Sequence, residues 1–306
     1  MIAALHPCAE AYGKVIVLGE HSVVYGKPAV AAGLPNGLVL RARPLPDSAE
    51  PCRLRIPAWG LDLSVADVDH PVATAAATVL DHCRGPRTGW AIDGETCLPA
   101  RAGLGSSATL TVALARLVLG PEAEVAAIEA ASLAGERVFH GEPSGLDSAI
   151  AARGGVLRFV RGEPVRPIAV RAPIPLVILP SGVARSTAVE VAKVRARKER
   201  LPTLLEPILG ALAAAAEAGI AAIESNDLGQ LGEIMNVSHE LVSALGVGHP
   251  ALDRLVARAL EGGALGAKLT GAGGGGCVVA LRGPDDALVS ALAAEGTPAI
   301  PVEIHG

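Results

Sequence analysis

Four consecutive glycines end the run Gly271-Ala272-Gly273-Gly274-Gly275-Gly276, set between Lys268-Leu269-Thr270 and Cys277-Val278-Val279. Glycine loses more backbone freedom on folding than any other residue, so such a run between two apolar strands is costly. A hairpin turn needs only one or two glycines. The run therefore predicts a backbone that must come close to a ligand or to another loop. A second segment of small residues, Pro99-Ala100-Arg101-Ala102-Gly103-Leu104-Gly105-Ser106-Ser107, leads straight into the apolar stretch Ala108–Leu119. It predicts a loop that opens a buried helix. Backbone N–H groups at a helix N-terminus lack internal partners and carry partial positive charge, so small side chains there leave room to cradle phosphates. Either serine hydroxyl could also ligate Mg²⁺. The segment is not a Walker A loop, because no Gly-x4-Gly-Lys-Ser/Thr occurs in the chain. It is not a nucleophile elbow either, since Gly-x-Ser-x-Gly is absent around Ser106 and Ser107. Taken alone, it reads equally well as an ordinary loop with a serine cap.

The rest of the chain frames these two loops. At 306 residues the length suits two domains or one large one. Half the residues are hydrophobic but only 2% are aromatic, so the core must be built from Ala, Val, Leu and Ile with close backbone packing. The net charge of −5 argues against a general nucleic-acid binder, which would show a basic field. The basic residues of Lys193–Arg200 lie near Glu190 and Glu199 and read as a solvated helix face. Five scattered cysteines, Cys8, Cys52, Cys83, Cys97 and Cys277, form no Cys-x-x-Cys pair and fit a reducing cytoplasm. No secretory leader pattern is read at the N-terminus. The longest apolar stretch, Leu209–Ile223, is broken by Glu217 and Gly219, so no membrane span is expected.

Periodicity predicts short strands at Val15–Leu18, Ala29–Gly33 and Leu38–Arg43, the last two punctuated by the turn signal Pro35-Asn36-Gly37. Leu54–Ile56 and Leu61–Leu63 read as a hairpin, Pro71–His82 as a helix, and Pro121 to about His140 as a helix after the phosphate-loop helix. Val156–Phe159 and Leu176–Leu179 read as strands. Helical patterns then follow at Ala188–Arg200, Thr203–Glu224, Asp227–Ala244 and His249–Glu261. A strand–loop–strand unit at Lys268–Leu281 and a short helix at Ala287–Ala294 complete the chain. The change of texture near 170–180 sets the expected boundary: an N-terminal domain of 1–175 and a C-terminal domain of 176–306.

Three segments resemble, in order and spacing, the motifs of the GHMP kinases. Tyr12-Gly13-Lys14-Val15-Ile16-Val17-Leu18-Gly19-Glu20-His21-Ser22-Val23-Val24-Tyr25-Gly26-Lys27-Pro28-Ala29 resembles the first motif, Gly103–Ala108 the second, and Lys268–Cys277 the third. His140-Gly141-x-Pro143-Ser144-Gly145-Leu146-Asp147 and Leu245-Gly246-Val247-Gly248-His249-Pro250-x-Leu252-Asp253 extend the likeness. Two positions depart from the pattern: Tyr12 stands where the family usually has Pro, and Arg101 where it usually has Gly. The resemblance implies an α+β fold of two domains, the first a mixed αβ domain and the second ferredoxin-like, with the active site in the cleft between them. It implies ATP and Mg²⁺ as cofactors and transfer of the γ-phosphate to the 5-hydroxyl of mevalonate. Phosphomevalonate, homoserine or a sugar stay open as acceptors, and a homodimer stays open as the assembly. A sensor that binds ATP and a metabolite without turnover is a further alternative, disfavoured by Lys14, Ser107, Glu136 and Asp147.

Residue roles also follow from the resemblance. Asp147 would accept the proton of the substrate hydroxyl, with Lys14 beside it to stabilise phosphoryl oxygens. Ser107 and Glu136 would bind Mg²⁺, a hard ion that prefers oxygen ligands. Pro99 and Gly103, Leu104, Gly105, Ser106, Ser107 and Ala108 would hold the nucleotide. Lys14, Glu20, His21, Asp147, Thr187, Gly271, Ala272 and Gly273 would line the acceptor pocket, and Arg185 or Lys14 could meet a substrate carboxylate. His239 and His249 are assigned to structure. Singly, each residue reads as something plainer: Lys14 as a surface lysine, Glu136 with Arg137 as an exposed helix pair, Asp147 as a helix cap. Their joint occurrence beside two glycine loops favours the catalytic reading.

Overall fold

A computed structural model describes residues 4–100, 102–283 and 287–306. In chain order the elements are β1 (Cys8–Leu18), β2 (Ala29–Pro44), β3 (Arg53–Ile56), β4 (Leu61–Ser64), α1 (Pro71–His82), β5 (Trp90–Glu95), α2 (Ser106–Leu119), α3 (Val125–His140), α4 (Leu146–Arg153), β6 (Val156–Phe159), β7 (Arg166–Pro167) and β8 (Ile174–Pro180). They continue with α5 (Thr187–Arg200), α6 (Pro202–Ser225), α7 (Leu228–Val242), α8 (Pro250–Glu261), β9 (Gly266–Thr270), β10 (Cys277–Leu281), α9 (Ala287–Ala294) and β11 (Ile300–Ile304). This mixed content is that of the expected α+β class.

Contacts divide the chain into two compact units, each assembled from separated segments. The first takes the chain up to Lys14, Pro35–Ala100 and Leu104–Gly154. Its strand order is β4-β3-β5 followed by the second half of β2, with β3 parallel to β5 and the other pairs antiparallel. Strands alternate: Leu38 and Leu40 point inward, and Leu54 and Ile56 join them from β3. Helices α1 to α4 cover this face with small residues, including Ala76, Ala108, Ala113, Ala131 and Ala151. Close approach is visible at Gly135, where a Cβ would meet Thr111 Cγ2 at 2.6 Å and Val79 Cγ2 at 2.7 Å.

The second unit takes Val15–Leu34, the short piece ending at Gly103, and Gly155–Gly306. The first half of β2 pairs there with β6. The main sheet is antiparallel in the order β11-β8-β10-β9. Reading β8, the helices, β9, β10, α9 and β11 along the chain gives the β-α-β-β-α-β succession of a ferredoxin-like layout. Its core joins Val177, Leu179, Leu269 and Val278 of the sheet to Leu205, Leu209 and Leu212 of α6. Among the described residues one helix, α6, is long and apolar enough to cross a membrane by length and composition. Its buried residues nevertheless form one stripe (Leu205, Leu209, Leu212, Ala216, Gly219, Ile223), the pattern of a helix covering one core.

The structure differs from expectation at Pro35-Asn36-Gly37. No turn forms, and β2 runs unbroken from Ala29 to Pro44. Gly37 serves close approach instead of reversal: a Cβ there would overlap the backbone of Ala11, Tyr12 and Gly13.

Candidate active site

The first group of candidate residues lies wholly in the first unit. Lys14, on β1, is only 7% exposed. Its N–H donates to the Leu104 carbonyl at 2.8 Å, which lays the Gly103–Ala108 loop along the strand. Gly105 makes this approach possible. Its φ is +78°, and a Cβ would sit 3.0 Å from Lys14 Cβ. Lys14 Nζ lies 3.1 Å from Asp147 Oδ1 and 3.2 Å from Oδ2. Asp147 stands in the first turn of α4, where the helix dipole favours negative charge. Its side chain keeps 34% exposure, so the carboxylate remains reachable. Tyr12, the departure from the family pattern, is accommodated. Its carbonyl accepts from Thr109 Oγ1 at 3.0 Å, and its ring covers Gly154, where a Cβ would collide at 2.6 Å. Arg101 lies outside the described residues.

Glu136, on the inward side of α3, is 2% exposed. Ser107 Oγ, at the start of α2, donates to its Oε2 at 3.2 Å. Its Oε1 is buried with no hydrogen-bond partner. Burial pushes the Glu136 carboxyl up to about 8, the nearby charge of Asp147 adds to the rise, and Ser107 and Lys14 oppose it. The carboxyl is thus buried with one oxygen bonded to Ser107 and the other unpartnered. A folded-state value above the ordinary 4.5 means stability is fullest below 4.5 and is lost as pH rises through about 8. Without divalent cations, Glu136→Gln should therefore abolish a decline in unfolding free energy of several kcal/mol between about pH 5 and about pH 9. Urea unfolding of both proteins across that range checks this; parallel pH profiles would refute it.

The second group lies wholly in the second unit. Glu20 is fully buried and ion-pairs with Lys268, itself fully buried on β9. Lys268 also donates to the Leu269 carbonyl at 2.8 Å. Burial drives both groups towards their neutral forms, raising the Glu20 carboxyl and lowering the Lys268 ammonium, while their mutual attraction opposes this. His21 holds a left-handed φ of +60° and its Nε2 lies 3.0 Å from the Ala272 carbonyl. Burial lowers its pKa, favouring the neutral ring. Thr187 begins α5, exposed, and its Oγ1 accepts from Arg185 Nη1 at 3.3 Å. The Arg185 guanidinium rests against Gly103, Gly271 and Gly276, all at positive φ, and a Cβ at any of them would overlap it. The costly glycines thus give an arginine room between two loops.

His140 and Lys268 carry interactions that sequence reasoning missed. His140 Nε2 lies 3.5 Å from Ser107 Oγ and 3.7 Å from Glu136 Oε2. The available signal was its i+4 spacing from Glu136 on one helix. For Lys268 the signal was a lysine inside a strand otherwise built for burial, which demands a partner.

A glycine loop that opens α2, the Lys14–Asp147 pair and the Ser107–Glu136 contact thus lie in one unit. Residues 71–155 match the GHMP kinases N terminal domain and residues 220–296 the GHMP kinases C terminal model. The chain belongs to the GHMP kinase family, ATP-dependent small-molecule kinases. Within that family its similarity runs to the mevalonate kinases. It is 38% identical to the mevalonate kinase of Pyrococcus horikoshii, covering 89% of this chain and 88% of that one. It is 36% identical to that of Aeropyrum pernix, covering 89% and 87%. The structure of L. major mevalonate kinase in complex with R-mevalonate superposes with a TM-score of 0.86 at 28% identity, covering 98% of this chain and 96% of that one.

Proposed function

We propose that this chain transfers the γ-phosphate of ATP to the 5-hydroxyl of (R)-mevalonate, giving 5-phosphomevalonate for isoprenoid precursor synthesis. The observation that carries the reading is the Lys14–Asp147 pair, a carboxylate gripped through both oxygens yet still accessible. The acceptor assignment is supported by 34–38% identity to mevalonate kinases over most of the chain. In this reading Asp147 takes the proton from the acceptor hydroxyl as its oxygen attacks the γ-phosphorus, and ADP leaves. Lys14 Nζ holds Asp147 in place and offers positive charge to the transferring phosphoryl oxygens. Pro99 and Gly103–Ala108 hold the nucleotide through backbone N–H groups at the start of α2. Glu20, His21, Thr187 and Gly271–Gly273 serve the acceptor side. Glu20, wholly buried on Lys268, acts there by supporting the backbone that carries His21.

The residues present fit Mg²⁺. The unpartnered Glu136 Oε1 and the Ser107 hydroxyl supply hard oxygen donors. Ser107 and Glu136 would hold the ion, which when bound neutralises charge on the phosphates. Family domains of 1–175 and 176–306 are consistent with the matched models, each of which falls inside one of them. Five free thiols support a reducing, cytoplasmic setting.

A coupled ADP-release assay across mevalonate, phosphomevalonate, homoserine and galactose tests the proposal. Mevalonate should give turnover at least about tenfold above the others, since a site that hydrogen-bonds its substrate rejects analogues lacking those groups. Turnover on another acceptor would reassign the substrate, and silence on all four would favour a sensor.

A further inference from the structure

Three buried hydroxyls connect the helices that carry the candidate catalytic groups. Thr111 on α2, Ser132 on α3 and Ser148 on α4 are at most 2% exposed. Ser132 Oγ lies 2.8 Å from Thr111 Oγ1 and donates to Ser148 Oγ, also at 2.8 Å. Thr111 Oγ1 in addition lies 3.2 Å from the Ser107 carbonyl. Each hydroxyl therefore sits beside one functional residue on its own helix. Thr111 is one turn after Ser107, Ser132 one turn before Glu136, and Ser148 next to Asp147. Gly135 lets α3 approach α2 at this level, its missing side chain being replaced by Thr111 Cγ2.

In a core otherwise built mostly of Ala, Val, Leu and Ile, the bland choice at these positions would be alanine. Buried hydroxyls gain little net stability even when satisfied, yet they prescribe direction and distance where apolar contacts do not. We propose that Thr111, Ser132 and Ser148 are positioning residues, with Ser132 the hub, that set the spacing of Ser107, Glu136 and Asp147. The inference rests on the roles given to those three residues above. It also orders the links: Thr111–Ser132 ties the two cation-binding helices together, and Ser132–Ser148 ties the helix of the base to them.

The two links can be cut separately. Ser148→Ala removes only the second link. Ser132→Ala removes both. Ser148→Ala should lower kcat roughly 10-fold with KM for mevalonate and affinity for Mn²⁺ nearly unchanged, because a base displaced by a fraction of an ångström loses alignment. Ser132→Ala should lower kcat by roughly 10- to 100-fold and also weaken Mn²⁺ binding several-fold. Binding of Mn²⁺ alone, followed by the paramagnetic resonance of the free ion, is read without turnover. Ile128→Val, one turn earlier on α3, controls for general loosening of the helix and should leave both quantities unchanged. Equal Mn²⁺ weakening in the two serine variants, or kcat in Ser132→Ala within about 2-fold of the parent, would overturn the proposal. If Ser132→Ala fails to fold, Ser148→Ala decides by the same kcat-against-Mn²⁺ comparison. A parent chain inactive on mevalonate would sink the substrate assignment instead, leaving the Mn²⁺ comparison readable.

Discussion

Replacing Asp147 with Asn should lower kcat by about 10²–10⁴-fold, the range contributed by a positioned proton acceptor, while nucleotide affinity changes little. The asparagine keeps the size of the side chain and one oxygen for Lys14, but it cannot take a proton from an alcohol. Lys14 is 7% exposed, so its ammonium loses its counter-charge in a partly dry setting. Some loss of stability is therefore expected alongside the loss of rate. Circular dichroism and a thermal scan separate the two. Calorimetric titration with a non-hydrolysable ATP analogue reads the nucleotide side, where Asp147 makes no direct claim. Turnover within about tenfold of the parent would show that the proton leaves by another route.

Lys268→Met should cost about 3–5 kcal/mol of stability, the usual penalty for stranding one member of a buried ion pair. In a chain of this size that corresponds to a drop in thermal midpoint on the order of 10 °C. The reason is specific. Both Glu20 and Lys268 are fully buried, and burial already drives the Glu20 carboxyl upward. Removing the ammonium takes away the opposite charge that holds the carboxylate ionised and leaves it hydrogen bonds to backbone. The deficit should shrink as pH falls, since a carboxyl whose folded-state pKa is raised costs stability only where the unfolded chain would ionise it. A double variant, Glu20→Leu with Lys268→Met, should recover much of the loss, because an apolar pair of similar volume needs no counter-charge. Unfolding curves of the three proteins at two pH values check all of this. An unchanged midpoint in Lys268→Met would mean that the pair is not maintained in solution.

Much of this fold is legible in the amino-acid sequence. The α2 helix emerged from an apolar run after a glycine loop, and α3, α6 and α8 from periodicity, because these signals are local. The strand reading at Leu38–Arg43 was right in kind, yet the turn expected at Pro35-Asn36-Gly37 was not formed. There glycine answers a neighbour met through the fold, β1, and the local pattern holds no trace of that neighbour. Helix α4 has no periodic signal for a different reason: Leu146 and Ser148–Ala152 are all buried, so no apolar stripe stands out against a polar face. At the site, residue types were legible and partners were not. Lys14 and Asp147 are 133 positions apart, and Glu20 and Lys268 are 248 apart. Motif likeness supplied the first pairing, whereas the second, and the hydroxyl chain of Thr111, Ser132 and Ser148, belong to tertiary packing alone.

The loop that joins β9 to β10 inverts the usual meaning of a mutational scan. At Gly273, Gly274, Gly275 and Gly276 a new methyl group would strike the Val247 carbonyl, the Glu190 carboxylate, the Val183 carbonyl and the Arg185 guanidinium in turn, and each of these glycines has a positive φ. Alanine, elsewhere the gentlest probe, is here an addition of matter. A library ranked by alanine sensitivity would mark this stretch as rich in essential side chains, although it owns none. What it records is vacant volume that the rest of the second unit has already filled.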